Sequence, residues 1–169
     1  MTQKRKPTYD IEAFKPATIC PKTGTAMHRD VRPMTLTYKG KKITFDMPGW
    51  YCDQSDESIH TSKDMKVSDR ILNRLKARSE GLLEPEEIRR IRKKLHLTQK
   101  LAGLVVGGGP RAFQKYECGD LLPSRAISSA LILLDRYPVA LAVLKARHDN
   151  GGEPLPDSTK NPEGSRLHS

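Results

Sequence analysis

Three consecutive glycines followed by a proline, at positions 107–110, separate two short amphipathic segments near the middle of the chain. Three glycines destabilise a helix interior, whereas proline is favoured in the first turn of a new helix. An apolar helical stripe approaches the glycines, formed by Leu101, Ala102, Leu104 and Val105. We therefore predict a helix before the glycines, a tight turn, and a further helix that begins at Pro110.

A third amphipathic helix precedes these two, with Ile88, Ile91 and Leu95 at helical spacing. Thr98 is placed to cap the helix that follows. Over residues 85–116, this succession of helices around a glycine turn predicts a helix-turn-helix.

The helix after the glycines is predicted to have one polar, basic side that carries Arg111, Gln114 and Lys115. The first turn of such a recognition helix reaches base edges in the major groove, where Arg pairs bidentately with guanine. Gln99 and Lys100, at the start of the preceding helix, complete the predicted DNA-binding set. Gln99 is placed to grip a phosphate and set the register.

The same glycines allow a second interpretation. Leu104-Val105-Val106, followed by Gly107-x-Gly109-x-x-Ala112, matches a dinucleotide-binding fingerprint. That fingerprint needs a strand before the glycines and a parallel sheet around them. The helical pattern of the approach favours the helix-turn-helix instead. A helical bundle with solvated charges and no ligand is the third interpretation.

The net charge is +10, and it divides into +6 over residues 1–83, +6 over 84–147 and −2 over 148–169. Two positive segments suit a polyanionic partner, because neutralising phosphates supplies much of DNA affinity. No apolar run approaches the roughly 20 residues of a membrane helix. We therefore expect a cytoplasmic protein with no membrane partner.

A small β-rich unit precedes the helices. Thr35–Tyr38 and Ile43–Phe45 alternate around a Lys39–Lys41 turn, which predicts a hairpin. Pro48-Gly49 is expected to break the second strand, and a new strand is expected to begin at Trp50.

The stretch KKLHLTQKLAGLVVGGGPRAFQKYECGD resembles the DNA-binding domain of the MqsA-type (YgiT-type) antitoxins, within the wider lambda-repressor-like group. The letters LTQK, GGG, AF and YExG carry the resemblance, which extends over residues 18–147. In that family the C-terminal domain dimerises and binds operator DNA, and the N-terminal domain binds zinc and a toxin ribonuclease. The base-reading positions of that family correspond to Arg111 and Lys115 here. The first position is more often Asn in the family, so the resemblance implies that this chain reads a different operator sequence.

The resemblance also implies a CxxC at each end of the N-terminal unit. Cys20 and Cys52 are present, but Thr23 and Ser55 stand where the second cysteines would be. Neutral hydroxyls are poor zinc ligands beside thiolates. We therefore expect a zinc-ribbon-like scaffold that has lost its metal and needs no cofactor. A disulfide between Cys20 and Cys52 is a minor alternative.

The predicted fold is α+β, with a small β-rich zinc-ribbon-like domain followed by an all-α, five-helix, lambda-repressor-like domain. We assign 1–17 to a flexible basic arm, 18–80 to a partner-binding domain, 84–147 to DNA binding and dimerisation, and 148–169 to a disordered tail. The helix that follows Ser124 is apolar over more than one face, and an exposed apolar patch favours a homodimer contact.

The resemblance implies an antitoxin that represses its own transcription, with operator DNA, a toxin of the mRNA interferase type and a second copy of itself as partners. A stand-alone regulator whose N-terminal domain binds another protein is the alternative. An enzyme built on Cys52 and His60 is disfavoured, because nothing in the sequence holds a base near that thiol.

Overall fold

The computed structural model describes residues 18–151. The predicted arm over 1–17 and most of the predicted tail, 152–169, lie outside the described residues. The α+β class is confirmed, since a three-stranded antiparallel sheet is followed by helices. The chain divides into two compact units, Met1–Leu72 and Asn73–Ser169.

The sheet of the first unit has the order β1-β2-β3. Its strands are β1 (His28–Tyr38), β2 (Lys41–Tyr51) and β3 (Ser58–Ile59). The turn between β1 and β2 holds Lys39 and Gly40 at φ values of 47° and 77°. Positive φ at both central residues matches the twist of a two-residue hairpin. The predicted hairpin is therefore confirmed, and its strands are longer than expected.

The predicted break at Pro48-Gly49 is wrong, because β2 continues through both residues to Tyr51. The carbonyl of Pro48 lies 2.9 Å from Nδ1 of His60, so the backbone of Pro48 faces the β3 side of the strand. β3 pairs there only with Trp50 and Tyr51, so the missing N–H removes no ladder bond. A Cβ at Gly49 would lie 2.6 Å from the same ring nitrogen of His60.

An ion pair between half-exposed Arg29 and buried Asp64 joins β1 to the start of the first helix. Asp64 is buried and receives hydrogen bonds of 2.9 and 2.8 Å from the guanidinium of Arg29. It also accepts the backbone N–H of Thr61 at 2.8 Å, while Thr61 Oγ1 accepts the N–H of Asp64 at 3.3 Å, so the two residues form a capping box at the start of the helix. These donors, Arg29 first, hold the pKa of Asp64 far below its usual range.

The helices are α1 (Ser62–Glu80), α2 (Pro85–Lys94), α3 (Gln99–Val105), α4 (Ala112–Cys118), α5 (Arg125–Arg136) and α6 (Leu141–Asp149), with a 3₁₀ helix at Pro138–Ala140 before α6. The predicted cap at Thr98 is confirmed, and two further helix ends are capped in the same local way. Thr98 accepts the N–H of Leu101, Ser124 accepts that of Ile127, and Gly119 ends α4 at a φ of 82°.

The core of the second unit gathers the apolar stripes of α2 to α5. Phe113 and Ile88 are fully buried, and Ile91 and Leu131 are nearly so. Burying one such side chain contributes roughly 1.5–3 kcal/mol. This core fixes α4 with Ala112, Phe113 and Tyr116 inward, which leaves its opposite side to solvent.

The connection from α3 to α4 depends on close backbone approach. A Cβ on Gly103 would lie 1.9 Å from the carbonyl oxygen of Gly109, whose own N–H donates to the carbonyl of Gly103 at 3.1 Å. Gly107, Gly108 and Gly109 all have positive φ, at 126°, 94° and 89°. A helix leads into these glycines, so the dinucleotide-binding interpretation, which needs a strand there, is wrong.

Within residues 18–151, no single helix is long and apolar enough to cross a membrane. Only α5 together with the segment Pro138–Asp149 meets that criterion, as a pair bent by 119°.

Candidate functional site

The exposed side of α3 and α4 carries four polar side chains of the predicted set. Lys100, Arg111, Gln114 and Lys115 are exposed. Within the described part of the chain, none of these four side chains has a hydrogen-bonding or ion-pair partner. Arg111 is the N-cap of α4 and not a residue of its first turn, since the helix begins at Ala112.

Arg111 and Lys115 lie on the same shallow depression, a cavity of about 220 Å³ whose floor is the glycine turn. Gly108, Gly109 and Leu121 also line it. Because the turn contributes no side chains there, the two cations border open space. A flat or convex anionic partner can approach both at once.

Gln99, the fifth predicted residue, has a different environment. It is half-buried, and its amide nitrogen donates to the carboxylate of Glu117 at 2.9 Å. Glu117 also receives two hydrogen bonds from the guanidinium of Arg92, one of them at 2.9 Å. Arg92 in turn donates to the carbonyl of Leu97 at 2.8 Å. Gln99 is therefore oriented by a network that joins α2, α3 and α4.

The pair of Arg92 and Glu117 is largely shielded from water, with 12% and 5% of the side chains exposed. Burial alone would raise the pKa of Glu117. Hydrogen bonds from Arg92 and Gln99 outweigh it and leave that pKa below its usual value.

Two exposed cations of α2 are paired with a carboxylate of α5. Arg90 and Lys94 both contact the carboxylate of Asp135, at 2.7 and 2.8 Å, and together they hold its pKa far below the usual range. Their charge is therefore largely neutralised within the protein. Lys100, Arg111 and Lys115, by contrast, are exposed cations without such a carboxylate partner among residues 18–151, and their charge faces solvent.

An apolar face lies on α5 and α6. Exposed fractions are 59% for Leu133, 84% for Val139 and 52% for Val143. An apolar cavity of about 290 Å³ between these helices is lined by Ala130, Leu133, Leu134, Ala140, Val143 and Leu144. The predicted apolar surplus of α5 is thus present at the surface.

The first unit brings together the two segments that each keep one cysteine of the expected CxxC, residues 20–23 and 52–55. Cys20 Sγ lies 3.4 Å from Ser55 Oγ, and Cys52 Sγ lies 3.4 Å from Thr23 Oγ1. Thr25 Oγ1 is 3.5 Å from the same Cys52 sulfur. Both cysteines are 1% exposed. Hydrogen bonds from Ser55, Thr23 and Thr25, in that order, lower the pKa of Cys52 to about 6.

Residues 18–145 match the family described as the antitoxin component of bacterial toxin-antitoxin systems, MqsA. The chain belongs to the MqsA antitoxin family. Antitoxin MqsA of Escherichia coli (strain K12) is 34% identical over 116 residues, which is 66% of this chain and 86% of that protein. The predicted resemblance is therefore confirmed.

The donor set of this MqsA family member does not fit the zinc centre that the resemblance implies. Zinc in structural sites takes four thiolate, imidazole or carboxylate ligands. Residues 18–151 contain no group of three His, Cys, Asp or Glu side chains that could hold a metal. His60 does not complete the set, because its ring nitrogens lie 2.9 Å from the Pro48 carbonyl and 3.1 Å from Ser58 Oγ. The same contacts engage both ring nitrogens of His60, the histidine considered as a base for Cys52.

Three residues that take part in these sites were not predicted from the sequence. Neither Glu117 nor Arg92 was predicted as a site residue. Thr25 was not expected at the thiol centre, although it lies two residues after Thr23 and the two hydroxyls are 2.7 Å apart. For Glu117, the signal in the sequence was an acidic side chain in α4, close to the basic side chain of Lys115.

Proposed function

We propose that this chain is the antitoxin of a type II toxin-antitoxin system and a sequence-specific, DNA-binding repressor of its own promoter. The observation that carries the proposal is the set of four exposed, unpaired side chains on α3 and α4, at positions 100, 111, 114 and 115. In an antitoxin family, a basic surface of this kind next to a rigid helical core suits operator DNA.

Each residue of this surface has a separate role in the proposed complex. Arg111 pairs with a guanine edge in the major groove, and Gln114 lies one turn further along the same side. Lys115 meets a base or a phosphate. Lys100 and Gln99 contact phosphates from the start of α3, and Gln99 is already held in place by Glu117.

The proposed repressor is a homodimer. Leu133, Val139 and Val143 give α5 and α6 an apolar surface that a second copy would cover. A two-fold axis through it would present two copies of α4 to one duplex, spaced by one DNA turn or a multiple of it. Pairing identical half-sites in this way suits a palindromic operator.

The first unit is the proposed toxin-binding part, and the toxin is of the mRNA interferase class by family resemblance. Toxin and operator are then bound by different units of one cytoplasmic protein. The second unit carries no part of the toxin contact in this proposal.

The proposal is tested by purifying the native protein together with the product of the neighbouring reading frame and footprinting the promoter of the pair. We expect a stable complex with a small ribonuclease and a protected palindrome. A protected promoter with no toxin gene beside it would instead support a stand-alone regulator. A protein that protects no promoter sequence contradicts the repressor role.

A further inference from the structure

The turn that begins at Cys20 and the turn that begins at Cys52 are built alike. In the first turn, the N–H of Cys20 donates to the carbonyl of Thr25 at 2.8 Å, and Thr23 Oγ1 accepts the N–H of Thr25 at 3.4 Å. In the second, the N–H of Cys52 donates to the carbonyl of Glu57 at 3.2 Å, and Ser55 Oγ accepts the N–H of Glu57 at 3.3 Å. Each turn therefore presents one sulfur and, three residues later, one hydroxyl.

The side chains of the two turns pair crosswise. The hydroxyl of Ser55 meets the sulfur of Cys20, and the hydroxyl of Thr23 meets the sulfur of Cys52, both at 3.4 Å. Each hydroxyl also acts on the cysteine of its own turn, since Ser55 helps to lower the pKa of Cys52 and Thr23 that of Cys20. Four side chains, two buried sulfurs with half-buried Ser55 and exposed Thr23, therefore converge on one point, where a four-ligand metal site would have its corners.

The surroundings of this point are those of a small closed core. Cys20, Met27 and Cys52 form one buried cluster, and Trp50 packs against it. A buried sulfur without a hydrogen-bonding partner would destabilise the fold, and the crosswise hydroxyls give each of the two sulfurs a partner. The cluster is thus complete without a metal.

We infer that Thr23 and Ser55 replace two metal ligands, that the thiol–hydroxyl pairs hold the two turns together without zinc, and that restoring two thiols converts the cluster into a zinc site. The chemistry of the donors decides which state forms. Two cysteine sulfurs and two neutral hydroxyls make a weak zinc site, whereas four thiolates make a strong one. This inference concerns the first unit and is independent of DNA binding.

The experiment compares three forms of the full chain, purified without chelator in reducing buffer. They are the native protein, the double variant Thr23→Cys with Ser55→Cys, and a control, Thr35→Cys with Thr44→Cys. The control also replaces a hydrogen-bonded hydroxyl pair, 2.8 Å apart on the exposed hairpin. It therefore adds two thiols without placing them beside Cys20 and Cys52.

Bound zinc is counted by elemental analysis, and Co²⁺ is used as a visible-absorbing probe of tetrahedral thiolate coordination. We expect about one equivalent of metal in the Thr23/Ser55 variant, and none in the native protein or the hairpin control. We also expect the urea midpoint from Trp50 fluorescence to be unchanged by EDTA in the native protein. In the Thr23/Ser55 variant, EDTA should lower it.

A variant that folds only when zinc is supplied also supports the inference, because metal binding is then coupled to folding. Two results overturn it. One is a native protein that holds one equivalent of zinc and loses it on Cys20→Ser. The other is a folded Thr23/Ser55 variant that binds no more metal than the hairpin control.

Discussion

The side-chain amide of Gln99 donates a 2.9 Å hydrogen bond to the carboxylate of Glu117, and this bond ties the first turn of α3 to α4. Because Glu117 also neutralises the buried guanidinium of Arg92, one acidic side chain holds a cation inside the core and orients a polar group at its edge. A basic surface can therefore be positioned by a carboxylate that does not itself face solvent.

Replacing Glu117 by Ala is expected to destabilise the second unit by roughly 2–3 kcal/mol, because Arg92 would stay buried without its counter-ion. Urea denaturation followed by circular dichroism measures this loss. The matched control is Asp135→Ala, which removes the partner of more exposed cations, Arg90 and Lys94, and should cost much less. Equal losses in the two variants would contradict the special role of the shielded pair.

Arg111→Ala is expected to weaken binding to the specific operator by about 1–3 kcal/mol, since a bidentate contact to guanine would be lost. Electrophoretic mobility shifts at fixed salt, on the operator and on a scrambled duplex, measure the loss. Lys145→Ala is the control, because it removes an exposed cation from α6. An equal loss on both duplexes would show that Arg111 contacts only phosphate.

Lys115→Ala and Gln99→Ala test the phosphate contacts. If Lys115 meets a phosphate, its removal should reduce the salt slope of binding by about one. Gln99→Ala should weaken all sequences alike, and a changed base preference would argue against its assigned role.

Val143→Glu is expected to convert the proposed dimer into a monomer, because a two-fold contact would bury two unpaired carboxylates at a cost of roughly 2 kcal/mol or more. Light scattering after size-exclusion chromatography reports the mass. Val31→Glu is the control, since Val31 is 56% exposed on the first unit and lies outside the proposed interface. A dimer that survives Val143→Glu would place the interface elsewhere.

Stability of the first unit should depend on pH through Cys52. Its pKa is lowered to about 6 in the folded protein by the hydroxyls of Ser55, Thr23 and Thr25. A group with a depressed folded pKa adds stability that is complete above its unfolded pKa, about 8.5 for a thiol, and is lost as pH falls through the folded value. The free energy of unfolding should therefore fall from pH 9 to pH 6.

Urea denaturation followed by Trp50 fluorescence measures this pH dependence in reducing buffer. Cys52→Ser should flatten it, while Cys118→Ser, which removes an exposed thiol, should leave it unchanged. The neighbouring Lys22, Asp53 and Asp56 are present in both variants, so their titration is common to both curves. A native curve as flat as that of Cys52→Ser would contradict the assignment.

The sequence predicted the helices of the second unit because their ends depend on local chemistry. Thr98 and Ser124 cap, Gly119 adopts a left-handed conformation, and each acts within four residues. By contrast, Gln99 and Glu117 are 18 residues apart, and their contact depends on how α3 crosses α4. Local patterns carry no information about that crossing.

The role of Arg92 could not be predicted for the same reason. α2 carries Arg89, Arg90, Arg92, Lys93 and Lys94, and in the sequence they are equivalent polar positions. Only the packed structure distinguishes the one that turns towards Glu117. The effect of Pro48 also depends on packing. It does not end β2, because its missing N–H faces a side of the strand where β3 has already ended.

The approach of Gly103 to the Gly109 carbonyl limits how this protein can be redesigned. Any side chain at position 103 would push α3 away from the turn and displace every group that α4 displays. A library intended to retarget the protein to new sequences should therefore randomise positions 111, 114 and 115 and keep 103 and 107–109 as glycine. Changes in base preference would then come from positions 111, 114 and 115, and losses of folding would come from changes at positions 103 and 107–109.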